Sequence, residues 1–367
     1  MDTSDPGISF DEAGVCDYCN NFKFKILPSW QYGKNNDSKL DTLAKKIKKA
    51  AKGQPYDCII GVSGGLDSSY LAYVAKEIMG LHPLLYHVDA GWNTNQAVTN
   101  IEKLVHGLNL DLFTDVIDWE EIKRLQIAFL RSQIPDQDAP QDIAFFSSLY
   151  KFAKKNNIKC ILTGANFSTE CCREPEEWGA YPGIDKVLIQ DIYSKFGSMP
   201  LKTFPIVDIL EYRIYYKFIL GISVERPLNL LPFLKKDAEQ LLYKELGWQK
   251  FQHKHHESRF TRFYEDYWMP KKFGFEKRRA HFSSLIITGQ MSRDEALERI
   301  KSPEMSPHFL RQEFIYIANK LGLNTTELEA IFDGENKTFH HYKNKHSLIK
   351  LGSYGLQYFG KEKRLFR

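Results

Sequence analysis

Between residues 38 and 166 the spacing of apolar positions switches repeatedly between a helical and a strand period. Leu40, Leu43, Ala44, Ile47 and Ala51 share one face of the lysine-rich stretch 38–52, which predicts an amphipathic helix with the lysines on its solvated side. A short continuous apolar run, Cys58-Ile59-Ile60, predicts a buried strand. It enters a hydroxyl- and glycine-rich loop, Ser63-Gly64-Gly65-Leu66-Asp67-Ser68-Ser69, and a helical pattern follows over about 68–79. Further strands are predicted at 84–88, 112–117 and 159–163, with helices at 96–109, 119–132 and 141–156. Strands that alternate with helices predict an α/β fold with a doubly wound, mostly parallel sheet.

Beyond 166 the pattern changes. Residues 167–205 read as a long loop, a length that is often functional. Helices are predicted at 208–220, 235–246, 307–320 and 325–333, with a connector at 227–232. Ser292 and Glu295 have the spacing of a capping box, and 343–367 carries no clear signal. The expected division is an N-terminal segment (1–37), an α/β domain (38–225) and a mainly helical C-terminal region (226–367).

A chain of 367 residues is long enough for more than one domain. The net charge of only +4 argues against a nucleic-acid binder acting through its whole surface. No apolar run approaches the length of a membrane span, and Met1 to Phe10 lacks the charged and apolar regions of a signal peptide. Six cysteines do not make a disulfide framework at this length, so a reducing, cytoplasmic compartment is expected.

The loop after the first strand is the strongest chemical signal. Gly64 and Gly65 permit a tight turn that brings bare N–H groups to an anion. Ser68 and Ser69 stand where a helix begins, so its dipole favours the same negative charge. Asp67 suits a phosphate-bound Mg²⁺. No lysine follows the glycines, so the loop is not a Walker A motif. In a parallel sheet the ends of the other strands should converge on this loop. Those ends are Val88 and Asp89, leading to Asn93, and Gly164 to Asn166; taken singly, Asp89 and Asn166 are also ordinary turn or capping residues.

Two other stretches stay open. Cys16 and Cys19 have the spacing of half a zinc site, or are two free thiols. The other half is not obvious, because Cys171 and Cys172 are adjacent, while His253, His255 and His256 could supply ligands. Residues 250–290 interleave basic and aromatic side chains. That composition fits a nucleic-acid surface, a cradle for a nucleotide sugar, or a helix with an aromatic core face, and the balanced net charge weakens the first.

The loop Ser63 to Ser69 resembles the PP-loop of the ATP pyrophosphatases. The chain as a whole resembles the N-acetyl sugar amidotransferases of bacterial surface-polysaccharide pathways. The matching stretches are Cys16 with Cys19, Ser63–Ser69, Asp89–Asn93, Leu231–Ala238, Glu257–Tyr264, Lys277–His281 and Gly289–Ala296. The resemblance implies an ATP- and Mg²⁺-dependent enzyme that adenylates an oxygen of a nucleotide-linked sugar, after which ammonia displaces AMP. It implies that Ser63, Gly64, Gly65, Asp67, Ser68 and Ser69 hold pyrophosphate and Mg²⁺, with Val88, Asp89, Gly164 and Asn166 near the nucleotide. Lys235, Lys254 and Arg259 would balance phosphate charge, and His255 and Glu257 would move protons. Asp2 follows Met1 and no glutaminase nucleophile elbow is present, so a separate glutaminase and a barrel-type ammonia-channelling subunit are expected as partners. Neither nucleic acid nor membrane is expected, and monomer and homodimer both stay open. One rival is a tRNA-thiolating PP-loop enzyme using Cys160, Cys171 or Cys172. The other is a non-catalytic, ATP-binding scaffold for a glutaminase.

Overall fold

The computed structural model describes residues 1–30, 37–179, 181, 183–252 and 254–358. Five parallel strands are paired in the order β3-β2-β1-β4-β5. They are β1 (Cys58–Gly61), β2 (Pro83–Asp89), β3 (Leu112–Val116), β4 (Cys160–Leu162) and β5 (Ser223–Glu225). The order reverses on either side of β1, so the strand feeding the glycine loop lies at the switch point, where a parallel sheet opens a crevice.

Core membership alternates along the central strands because successive side chains point to opposite faces. Ile59, Leu84, Tyr86, Val88 and Ile161 join one core, against the helices Trp119–Ser132 and Ala139–Lys155. Cys58, Ile60, Leu85 and Leu162 join the other, against the helices Asp37–Ala50, Leu66–Tyr73, Asn95–Leu108 and Lys235–Leu246. The sheet is therefore doubly wound, and both faces of β1 are fully buried, which is why its sequence is an unbroken apolar run.

The predicted helices and the first four strands fall close to their expected bounds. Two elements depart from the reading. β5 pairs Ser223, Val224 and Glu225 with β4; three residues at a sheet edge carry too little alternation to mark a strand. The stretch expected as loop contains an eleven-residue helix, Lys186–Phe196, whose first amides at Val187 and Leu188 are capped by the Asp185 side chain. Ser292 caps its helix by accepting from the Glu295 amide. The last stretch, without a clear signal, holds a helix over His346–Tyr358.

The aromatic segment forms a third core. Phe260, Phe263, Tyr264 and Trp268 are 1–3% exposed and pack with Trp92, Ile317, Leu321 and Leu328. Of the three readings of this segment, the aromatic core describes these rings. No described helix is long and apolar enough to cross a membrane.

Candidate active site

The site is built at the carboxyl end of β1. Val62 still donates to Tyr86 O, and the chain then leaves the sheet through Ser63, Gly64 and Gly65. Gly64 has φ +81°, and a Cβ there would lie 2.4 Å from Ala97 O, so only glycine fits. A Cβ on Gly65 would fall 1.7 Å from Glu257 Oε1. The Glu257 carboxylate therefore hangs directly over the loop. The helix Leu66–Tyr73 starts here, with Gly65 as N-cap, so Leu66, Asp67 and Ser68 present N–H groups that an α-helix leaves unpaired. Ser69 is fully buried, and its hydroxyl lacks a hydrogen-bond partner among the described residues.

The loop is held from behind. Trp248 Nε1 donates to Gly64 O at 3.0 Å, and Asn100 Nδ2 donates to the same oxygen at 3.1 Å. Asn100 Oδ1 in turn accepts the Gln249 amide at 2.9 Å. Neither buttress was foreseen from the sequence. Gly164, at the end of β4, allows close approach from the side: a Cβ there would sit 2.9 Å from the carbonyl carbon of Asp67.

The charged groups form a connected set. Lys254 Nζ lies 2.6 Å from Glu170 Oε1 and 3.4 Å from Asp67 Oδ2, bridging two carboxylates. Burial opposes its charge, but Glu170 and Asp67 outweigh it and hold the ammonium ionised. Burial pushes the Asp67 carboxyl up despite Lys254. Asn166 Nδ2 donates to Asp67 Oδ1 at 3.2 Å while Asn166 Oδ1 caps the helix Phe167–Glu170, so it is a capping residue that also touches the loop carboxylate. Lys235 is depressed by burial and feels Asp67 and Lys254, which places it at the rim of the same cluster.

His255 has φ +61°, an uncommon backbone conformation for a side chain of this size, and its Nδ1 is 2.9 Å from Glu265 Oε1. Lys277 reaches the same oxygen at 2.8 Å. Burial works against the ionisation of Glu265, but His255 and Lys277 drive its pKa well below the usual range. His255 itself is raised; burial opposes its charge and Glu265 overcomes it. The His281 ring packs edge-on to His255 and is held neutral by burial and by the cations Lys254 and His255. Of these two touching imidazoles His255 is raised and His281 lowered, so His281 joins His255 and Glu257 among the candidates for proton transfer.

Arg259, expected at phosphate, points elsewhere. It pairs with Glu313 and stacks over Tyr316 at 3.3 Å. Its backbone does serve the site: Arg259 N donates to Trp92 O at 2.8 Å, and Thr94 N donates to Glu257 O at 2.9 Å. These bonds fasten the segment carrying Glu257 to the loop after β2. At the end of β2 Val88 is buried, and the Asp89 carboxylate accepts from Gly91 N at 2.7 Å and Asn93 Nδ2 at 3.0 Å, so Asp89 organises the turn that follows.

Cys16 and Cys19 pack beside Cys171 and Cys172, and all four are free. Burial, with Cys16, pushes the Cys19 thiol up to about 11. The described residues contain no group of three or more His, Cys, Asp or Glu side chains arranged to hold a metal ion. His253 lies outside the described residues, while His255 and His256 sit 2.9 and 3.0 Å from Glu265 and Asp266. The expected histidine half of a zinc site is therefore engaged with carboxylates.

Residues 257–354 match the family described as LPS biosynthesis protein WbpG-like, C-terminal domain. The match starts at the residue whose carboxylate covers the glycine loop. This segment is similar to a WbpG-like C-terminal domain. This agrees with the family expected from the stretches beginning at Glu257, Lys277 and Gly289. The matched segment contributes Glu257, Glu265, Lys277 and His281 to the cleft, and the α/β sheet contributes the loop. Among solved structures the chain is similar to NMN synthetase from Francisella tularensis, at 16% identity and TM-score 0.35, covering 75% of this chain and 98% of that one. It is also similar to NH3-dependent NAD synthetase from Campylobacter jejuni subsp. jejuni NCTC 11168 in complex with the nitrate ion, at 15% identity and TM-score 0.33, covering 83% and 99%. Overlap at these scores is loose, and the fold is defined by its own strand order. No curated protein matches the chain.

Proposed function

We propose that this chain is an ATP-dependent amidotransferase of bacterial surface-polysaccharide biosynthesis. It adenylates an acetamido or carboxylate oxygen of a nucleotide-linked N-acetyl sugar and replaces that oxygen with ammonia. The observation that carries this reading is Glu257: the first residue of an LPS-biosynthesis domain stands over an anion-binding loop, so both parts build one cleft.

In the first step the sugar oxygen attacks the α-phosphorus of ATP, and pyrophosphate leaves. In the second, ammonia adds to the activated carbon, loses a proton, and AMP departs with the original oxygen. Adenylation is needed because oxide or hydroxide is a poor leaving group. The free amides of Leu66 to Ser68 and the Ser69 hydroxyl suit the pyrophosphate. Asp67, with Glu170 or Glu257, would hold Mg²⁺, which takes one or two carboxylates beside substrate phosphates. When bound, it supplies positive charge against the phosphates. Lys254 and Lys235 offset charge near the α-phosphate, and His281 takes the proton from nitrogen. Ammonia comes from a separate glutaminase through a channelling subunit.

The cysteines offered for tRNA thiolation speak against that rival. Cys160 is 2% exposed within β4, its thiol pushed up to about 12 by burial, and Cys171 and Cys172 are also buried. The test is pyrophosphate release from Mg-ATP with excess ammonium, across UDP-linked N-acetyl sugars and uronic acids, with mass spectrometry of the sugar. Sugar-dependent release with NH in place of O supports the reading. Silence across the panel, even with the partner subunits added, rejects it.

The buttress behind the loop yields a second expectation. Trp248→Phe keeps the buried ring and removes one hydrogen bond to Gly64 O. The KM for ATP should rise about fivefold, the value of one ordinary hydrogen bond, with kcat nearly unchanged. A loss confined to thermal stability, with KM unmoved, would assign Trp248 to packing alone.

A further inference from the structure

Apart from the phosphate loop the chain holds a second space, one that no sequence motif marks. It is a cavity of about 310 Å³ with a mixed lining, apolar side chains such as Ile143, Ile189 and Phe339 together with Asp136, Asp142, Arg173 and Asp185. It is electrically continuous with the cleft. Asp142 feels Lys277 and His255, Asp136 feels Lys277 and Glu174, and Arg173 feels Glu170, the partner of Lys254.

We propose that this cavity holds the sugar ring of the acceptor, with Ile143, Ile189 and Phe339 against its C–H face, Asp136 and Asp142 on its hydroxyls, and Arg173 toward its anionic part. The proposal deepens the amidotransferase reading and rests on it for the identity of the substrate.

Three features select a sugar. The space equals about ten waters, far more than an ammonium ion needs and at the lower end of small-molecule sites. Its mixed lining of apolar and carboxylate side chains suits a ring that has C–H faces and hydroxyls; a bare cation has no use for the apolar groups. Asp142, on the helix Ala139–Lys155, lines this space, and its carboxylate makes no hydrogen bond to the described residues. The neighbouring groups suit hydroxyls as well. Burial, reinforced by Asp142, pushes Asp136 up to about 7 and Asp138 up to about 8, so near neutrality these carboxyls both donate and accept. The position is also right. Asp142 feels Lys277 and His255, and Arg173 feels Glu170, whose partner Lys254 lies 3.4 Å from Asp67 of the loop.

The test is calorimetric titration of the full chain with the panel of UDP-linked sugars, with UDP alone and with Mg-ATP. Asp142→Asn removes one charged acceptor, and Ala139→Trp fills the cavity from its wall. Both variants should weaken the tightest-binding UDP-sugar by about tenfold, leave Mg-ATP affinity nearly unchanged, and affect UDP less than the sugar nucleotide. Unchanged sugar affinity in both variants overturns the assignment. So does an equal loss for UDP alone, which would put the nucleoside in the cavity. Absence of any sugar binding to the unaltered chain overturns it as well. Sugar binding that responds to both variants, without sugar-dependent pyrophosphate release, upholds the cavity and rejects the amidotransferase reading.

Discussion

Replacing Asp67 with asparagine is expected to reduce pyrophosphate release from Mg-ATP by about a hundredfold or more, the scale of losing one preorganised electrostatic group from a reaction centre. Asp67 is the second residue of the helix that opens on the phosphate loop. Its carboxylate receives Asn166 Nδ2 at 3.2 Å and lies 3.4 Å from Lys254 Nζ. Asparagine keeps the shape and can still hydrogen-bond to Asn166, so the fold should survive. What disappears is the negative charge. Mg²⁺ would lose a ligand at the phosphates, and Lys254 would be left on Glu170 alone, drawn away from the loop. Turnover measured across a Mg²⁺ titration separates these effects. Recovery at high Mg²⁺ assigns the loss to metal binding, while a uniform loss assigns it to Lys254. Unimpaired pyrophosphate release would remove Asp67 from the site.

Glu313 should carry the largest single contribution to stability among the ion pairs of the C-terminal region. Its side chain is 2% exposed and faces both Arg259 and Arg262, the latter at 2.8 Å. The two guanidiniums also lie over aromatic rings, Arg259 over Tyr316 and Arg262 over Phe309. Glu313→Ala would leave two cations against these rings without a counter-charge. Breaking a buried pair costs about 3–5 kcal/mol, and the partial exposure of both arginines places this case at the lower end, about 3 kcal/mol. The urea midpoint reads it directly, with an unchanged m-value showing that the unfolded reference is the same. There is a functional consequence too. Arg259 N is bonded to Trp92 O two residues after Glu257, so loosening this latch should also raise the KM for ATP. An unaltered midpoint would show that the arginines find other partners.

The parts of the fold legible in the sequence are those whose signals are local. The buried run of β1, the glycines at 64 and 65, the hydroxyls behind them and the helical period that follows are contiguous, and backbone geometry alone makes them a strand, a turn and a helix. The same holds for the later strands and helices of the sheet, and for the caps at Ser292 and Asn166. The helix Lys186–Phe196 also had a local signal, the Asp185 cap and a following Gly197, which the surrounding loop-like composition obscured.

Charge partnerships were not legible. Arg259 looks like a phosphate ligand by residue type, and packing of its helix against Pro307–Leu321 turns it to Glu313. His255 looks like a base, and Glu265 raises its pKa against burial, while burial and nearby cations lower that of His281. Trp248 reads as a core residue, and it is one, yet its indole N–H supports a carbonyl 184 positions away. Asp136 and Asp142 belong to no motif, and they line a cavity only together with Arg173 and Phe339. By itself the sequence determined the alternating α/β sheet, the anion-binding loop at its switch point and the likeness of the C-terminal segment, because each depends on residues adjacent along the chain. Only the tertiary structure decided which charges face the loop, which face each other, and where a second ligand has room. Those outcomes depend on side chains brought together from distant segments in a low-dielectric cleft, where a displacement of a few ångströms changes both partner and protonation state.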